Sequence, residues 1–104
     1  GGDFVFTSSD GITKLNHEIE SYDDTTGRLK AWVRVPTLSA LSNTSLYVYY
    51  GNAGAANQWN SSGTWDATYG GVWHLSNGSF ADSTSNANNG TNTGTTDTTG
   101  IIEE

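Results

Sequence analysis

Hydrophobic positions in this chain fall in short alternating runs separated by Gly, Asp and Asn, which is the pattern of strands and turns. In the run Leu46-Tyr47-Val48-Tyr49-Tyr50, an extended backbone puts Leu46, Val48 and Tyr50 on one face and Tyr47 and Tyr49 on the other. Neither face is polar, so the run predicts a central strand in a sheet covered on both sides, leaving through the turn residues Gly51-Asn52. Before it, Phe4-Val5-Phe6-Thr7 predicts a short strand that turns at Ser8-Ser9-Asp10-Gly11. A half-buried strand follows, in which Leu15, His17, Ile19 and Ser21 alternate with Lys14, Asn16, Glu18, Glu20 and Tyr22. Asp23-Asp24-Thr25-Thr26-Gly27 predicts the next turn. Leu29, Ala31, Val33 and Val35 then alternate with Lys30, Trp32 and Arg34 until Pro36 ends the strand. The expected topology is a meander leading into the aromatic strand.

Beyond Asn52 the alternation stops. Residues 53–70 read as a linker, small at first and then rich in Ser, Gly and Asn around Trp59, Trp65 and Tyr69. Gly71-Val72-Trp73-His74-Leu75 predicts one more strand. Residues 83–100 are all Ser, Thr, Asn, Ala, Gly or Asp, so this segment offers nothing to a core. It is either a long loop with Asx turns or a flexible connection to a strand at Ile101-Ile102.

Of the 104 residues, 34% are hydrophobic and 12% aromatic, so burial depends on a few large side chains, each worth roughly 2–3 kcal/mol when enclosed. The fold class expected is all-β, an antiparallel β-sandwich or jelly-roll-like arrangement, incomplete in this chain, with a long polar loop segment. A net charge of −7 argues against nucleic acid or an anionic membrane as partner. No apolar run approaches the ~20 residues of a membrane span. Without cysteine there is no disulfide, thiolate nucleophile or Cys-type zinc site. Low Lys with abundant Thr, Ser, Asn and Gly places the expected location outside the cell or on its surface.

Candidate chemistry is sparse. His17-Glu18-Ile19-Glu20-Ser21 has Ser where a His-Glu-x-x-His zinc site needs its second histidine, and it lies on a strand and not a helix. Glu18 and Glu20 share a strand face about 7 Å apart, a spacing that glycosidase carboxylates also show, but adjacent solvent-facing acids are ordinary on a strand. Neither a nucleophile elbow nor a phosphate loop is present, and the chain is expected to be non-catalytic, with no cofactor. Trp59, Trp65, Tyr69 and Trp73 are the candidate ligand-binding residues, since flat aromatic faces stack on sugar rings. The competing reading puts Trp73 and Leu75 into a core with Trp65 and Tyr69 covering it, and it weighs more in a chain this poor in aliphatic residues. Asp82, Asn86, Asn88 and Asn89 have oxygens suited to calcium but lack the spacing of a known calcium loop, and turn formation explains them without metal. A strand apolar on both faces, with few others to cover it, predicts that the chain associates with copies of itself by sharing strands, through residues 72–75 or Ile101-Ile102.

The stretches Asp3-Phe4-Val5-Phe6-Thr7-Ser8-Ser9-Asp10-Gly11, His17-Glu18-Ile19-Glu20, Ala31-Trp32-Val33-Arg34-Val35-Pro36 and Tyr47-Val48-Tyr49-Tyr50-Gly51-Asn52 resemble, in that order, the C-terminal half of a family of uncharacterised domains in secreted microbial proteins. Trp65-Asp66-Ala67-Thr68-Tyr69-Gly70-Gly71-Val72-Trp73-His74-Leu75 and the Asn-rich run from Asp82 to Thr91 look like the opening of a laminin-G-like, concanavalin A-like jelly roll. The resemblance implies residues 1–52 as the end of one β-sandwich domain, 53–70 as linker and 71–104 as the start of a second module. It implies a non-catalytic extracellular role in adhesion, carbohydrate contact or structural spacing. The alternatives are a structural subunit of a surface fibre and an accessory fragment of a secreted glycoside hydrolase.

Overall fold

A computed structural model describes residues 1–76 and 78–98; the expected strand at Ile101-Ile102 lies outside them. Their fold is nearly all-β with antiparallel sheets. Two compact units are present, Gly1–Thr64 and Trp65–Glu104. The first contains β1 (Val5–Thr7), β2 (Lys14–Leu15), β3 (His17–Asp23), β4 (Arg28–Val33), β5 (Tyr47–Tyr49) and one helical turn, α1 (Ser61–Thr64). These strands form a three-stranded sheet in the order β2-β1-β5 and a two-stranded sheet of β3 and β4.

Both predicted hairpins form, and one device builds both turns. The Asp10 carboxylate accepts the N–H groups of Ile12 and Thr13, each at 2.8 Å, and the Thr13 hydroxyl, while Gly11 takes φ 71°. The Asp23 carboxylate accepts the N–H of Thr25 at 2.9 Å, that of Thr26 at 3.4 Å and the Thr26 hydroxyl, with Gly27 at φ 72°. In each case an Asp side chain satisfies the turn's donors, and a Gly supplies the left-handed angle that other residues resist. The hydrogen bond from the Thr hydroxyl leads in holding both carboxyls below the ordinary aspartate value, Asp10 the more strongly.

The predicted strand from Lys14 to Tyr22 is broken at Asn16 and bulged at Glu20. Leu15 pairs with Phe6 in the first sheet, whereas His17 pairs with Val33 in the second, so the chain changes sheets between them. Beyond Ile19↔Ala31 the next pair is Ser21↔Lys30, two residues on β3 against one on β4. On β3 the face of His17 and Ile19 therefore continues to Tyr22, which pairs with Leu29 and is itself 40% exposed. This corrects the period-two expectation: Ser21 is exposed, and Tyr22 brings its ring to 5.0 Å from Phe4, edge to face.

Phe4, Phe6 and Leu15 form the core, with Ile19, Leu29, Ala31 and Val33 packed against it, so the two sheets share one apolar centre. The aromatic strand is not central. β1 occupies the middle of its sheet, β5 lies at the edge, and Leu46, Tyr47, Val48, Tyr49 and Tyr50 are all exposed. The meander is corrected as well, because β5 returns to pair with β1 and not with β4. The reason is that Phe6 on β1 and Phe4 just before it provide the deep apolar contacts, and tyrosine rings can lie along a core margin with their hydroxyls in water. Tyr50 does this at 6.0 Å from Phe4, and the Tyr49 hydroxyl donates to the Gly11 carbonyl at 3.3 Å.

Residues 53–64, expected as linker, belong to the first unit. The Gln58 N–H donates to the Gly2 carbonyl at 2.9 Å, and Lys14 Nζ donates to Gln58 Oε1 at 3.0 Å. Asn60 caps α1, its Oδ1 accepting the Gly63 N–H at 3.0 Å, while its own N–H donates to the His17 carbonyl at 2.8 Å and docks the helix on β3. In the second unit the expected strand at residues 71–75 is absent: no strand or helix occurs among its described residues, and Leu75 adopts φ 57°, outside the extended region.

Candidate functional site

In the second unit, Asp82 is the organising residue. Its Oδ1 accepts the N–H groups of Val72 and Thr84, and its Oδ2 accepts the Asn88 N–H and the Thr84 hydroxyl, all at 2.9 Å. Its own N–H donates to Asn89 Oδ1 at 2.9 Å. Burial pushes the Asp82 carboxyl up, but the four donors outweigh it and bring the carboxyl down to about 2. The polar run expected to contribute nothing to a core thus folds around one carboxylate, with Asp82 and Thr84 both buried. The donors face the oxygens a cation would need. The side-chain amides of Asn86 and Asn88 donate to the carbonyls of Tyr69 and Gly70, at 3.1 Å for Asn86 to Tyr69 and 3.0 Å for Asn88 to Gly70. The Asx residues act here as turn builders.

This frame carries three of the four candidate aromatic residues. Trp65 and Tyr69 meet edge to face at 5.2 Å, and His74 lies 6.2 Å from Trp65. Trp73 does not enter a core: it is 44% exposed, its indole N–H donates to the Asn88 carbonyl at 2.9 Å, and its ring lies against Gly71. A Cβ at Gly71 would fall 2.2 Å from Trp73 Cη2, so only glycine permits this approach. Leu75 is likewise exposed, against the expectation that it points inward with Trp73. Both follow from the lost strand, since residues 71–75 have no period-two alternation to send alternate side chains inward. Trp59, the fourth candidate, belongs to the first unit and is exposed there.

The sheet candidates of the first unit are structural in their contacts. His17 is 1% exposed, its ring tilted at 5.0 Å from that of Phe6, with Nδ1 at 3.4 Å from the Leu15 carbonyl. Glu18, expected to face solvent, is 7% exposed, on the strand against which α1 docks. Glu20 sits at the bulge and accepts the Trp32 indole N–H at 2.6 Å. The two acids are therefore not an open pair flanking a cleft. Among the described residues no group of three or more His, Cys, Asp or Glu is placed to hold a metal ion.

Sequence reasoning missed two tethers. Asp3 Oδ2 accepts the N–H of Gly51 at 2.7 Å and of Asn52 at 3.1 Å, and the Gly51 bond leads in holding its carboxyl below the ordinary value. Asn16 bridges to Asn60 and Gly63, and Arg34 donates to the same Gly63 carbonyl at 3.3 Å. Partners 29–49 residues apart leave no local spacing to read; the Asn-Ser-Ser capping pattern at Asn60 was the available signal for the helix.

One family matches this chain: a domain of unknown function, DUF2341, over residues 1–96. The match runs through both units and beyond Asn52. No curated protein and no solved structure matches.

Proposed function

The chain belongs to the DUF2341 family, a domain of unknown function, and on that footing we propose that it is a non-catalytic extracellular module whose second unit contacts carbohydrate in a larger secreted or surface protein. The observation that carries this reading is Trp73. Its ring is fixed at the indole nitrogen by Asn88 and along its plane by Gly71, yet it is nearly half exposed. A flat aromatic surface held in place before binding loses little freedom when a sugar ring stacks on it. The neighbouring Trp65 and Tyr69 supply further ring surface, and a chain of net charge −7 suits neutral sugars better than anionic ones. The extracellular setting draws its support from low Lys content and abundant Thr, Ser, Asn and Gly. The resemblance of the run from Trp65 to Leu75 to the opening of a laminin-G-like, concanavalin A-like module belongs to the same proposal, as do the roles in adhesion and spacing.

The test is titration of the chain with a panel of neutral oligosaccharides, followed by tryptophan fluorescence. A saturable change is expected that disappears in Trp73→Ala and persists in Trp59→Ala. A flat response across the panel, or one that Trp73→Ala leaves intact, would falsify the carbohydrate reading. Release of reducing sugar by the isolated chain would overturn its non-catalytic part.

A further inference from the structure

Among the described residues, the open sheet edges of the first unit are not alike. β2 is two residues long and carries Lys14; β4 carries Arg28 and Lys30; β3 is bulged between Ile19 and Ser21. Short length, charge and bulges are the devices by which edges avoid pairing with other chains. β5 is also short, at three residues, but it has neither charge nor bulge. Tyr47-Val48-Tyr49 holds no charge or proline, and its ladder with β1 runs unbroken through Thr7↔Tyr47, Phe6↔Val48 and Val5↔Tyr49. The bareness extends along the chain, since no Lys, Arg, Asp or Glu occurs from residue 37 to residue 65 of a molecule with net charge −7.

We propose that β5 pairs antiparallel with β5 of a second copy of this chain, about a two-fold axis at Val48. The order β2-β1-β5 then continues across the axis into the β5, β1 and β2 of the other copy. Two observations select a second copy as the occupant. A two-fold interface must be complementary to itself, and Tyr-Val-Tyr reads the same in both directions about Val48. Antiparallel pairing there sets each Tyr47 opposite a Tyr49 and Val48 opposite its equivalent, the aromatic and β-branched cross-strand pairs that stabilise sheets. Two copies also repel through their net charge, and the uncharged stretch around β5 is where they meet at least electrostatic cost. Pairing would cover Leu46, Tyr47, Val48 and Tyr49, which are exposed in the single chain. This inference is independent of sugar binding and needs no exchange of residues 72–75.

Because the chain has no cysteine, Val48→Cys introduces its sole thiol. Directly opposed residues have Cβ atoms about 4.5–5.5 Å apart, near enough for a disulfide after small adjustment. Under mild oxidation Val48→Cys should link into a dimer about tenfold or more faster than Leu41→Cys, whose position is 98% exposed and outside the strand. Sedimentation equilibrium of the unmodified chain should show a dimer that dissociates on dilution, and Val48→Lys should be monomeric with an unchanged far-ultraviolet dichroism spectrum. An unmodified chain that stays monomeric at its highest soluble concentration overturns the proposal, as would be expected if another polypeptide covers this edge. Equal linking of the two cysteine variants overturns it too, and so do open-ended polymers, because a two-fold contact closes. Should Val48→Lys fail to fold, sedimentation and the paired cysteine variants still decide.

Discussion

Asp82 Oδ1 accepts the N–H of Val72 at 2.9 Å, and that bond joins the aromatic run at residues 69–75 to the polar run at 82–90. Four donors converge on this one carboxylate, so Asp82→Ala strands all of them at once, while Asp82→Asn keeps one acceptor oxygen and should do less harm. Amide exchange at Val72, Thr84 and Asn88 should accelerate strongly in Asp82→Ala and less in Asp82→Asn, with the first unit unaffected. The carboxyl lies near 2 against an ordinary 3.8, so its contribution is fully present above pH 3.8 and disappears as the pH falls through about 2. Exchange rates at those amides that are indifferent to both substitutions would show that Asp82 does not hold the segment together.

Thr7 presents the opposite case. It is buried in the middle strand of its sheet, and its Oγ1 has no hydrogen-bond partner. Valine has nearly the same shape without the hydroxyl, so Thr7→Val removes a desolvated polar atom without opening a cavity. Stability should rise by about 1 kcal/mol, the lower part of the cost of a buried unsatisfied group. Chemical denaturation of the two proteins measures it, and a loss of stability would mean that the hydroxyl has a bound water as partner.

What the sequence disclosed, and what it hid, divides by the range of the interactions. Turns at Asp10-Gly11 and Asp23-Gly27 were legible because donors, acceptors and glycine lie within five residues of one another. Strand positions in the first unit were legible too, while the strand expected at residues 71–75 is absent. The place of a strand within its sheet was not: Leu46 to Tyr50 reads as interior because tyrosine counts as apolar, yet all five residues are exposed, with the Tyr50 ring beside Phe4 and the Tyr49 hydroxyl on the Gly11 carbonyl. The bulge at Glu20 was hidden because nothing in Ile19-Glu20-Ser21 breaks the alternation; the fault appears only against β4. At the candidate site, the aromatic residues and the Asx run were each visible, but their union required knowing that Asp82 closes on Val72, ten residues away.

Gly63 is required by contact and not by backbone angle. A Cβ there would fall 2.5 Å from Asn60 Nδ2, 2.7 Å from Asn16 Nδ2 and 2.9 Å from Asn16 Cγ, atoms that hold α1 against β3. Gly63→Ala should push Asn16 aside and weaken its bond to the Gly63 carbonyl, destabilising the first unit by about 1–3 kcal/mol. The same change at Gly54, whose Cβ would meet only Asn52 Oδ1 at 3.6 Å, serves as the control with little effect. Equal denaturation midpoints for the two variants would refute the close-approach argument.

His17 should make the first unit sensitive to mild acid. Burial holds its imidazole below the ordinary 6.5; the Lys14 charge acts in the same direction, and hydrogen bonding to the backbone of Leu15 and Phe4 opposes it. A histidine whose folded value is depressed binds a proton more readily in the unfolded chain. Its neutral-state contribution is therefore fully present above about pH 6.5 and is lost as the pH falls from there through the folded value. The aspartates act lower, since Asp3, Asp10 and Asp23 are held below 3.8 and lose their contributions only as the pH falls beneath that value. The two windows are separate, so the thermal midpoint should decline between about pH 7.5 and about pH 5, where histidine is the side chain that ordinarily titrates. His17→Phe keeps a ring against Phe6 and should flatten this slope whatever it does to the midpoint itself. A slope that persists in His17→Phe would assign the acid sensitivity to another group.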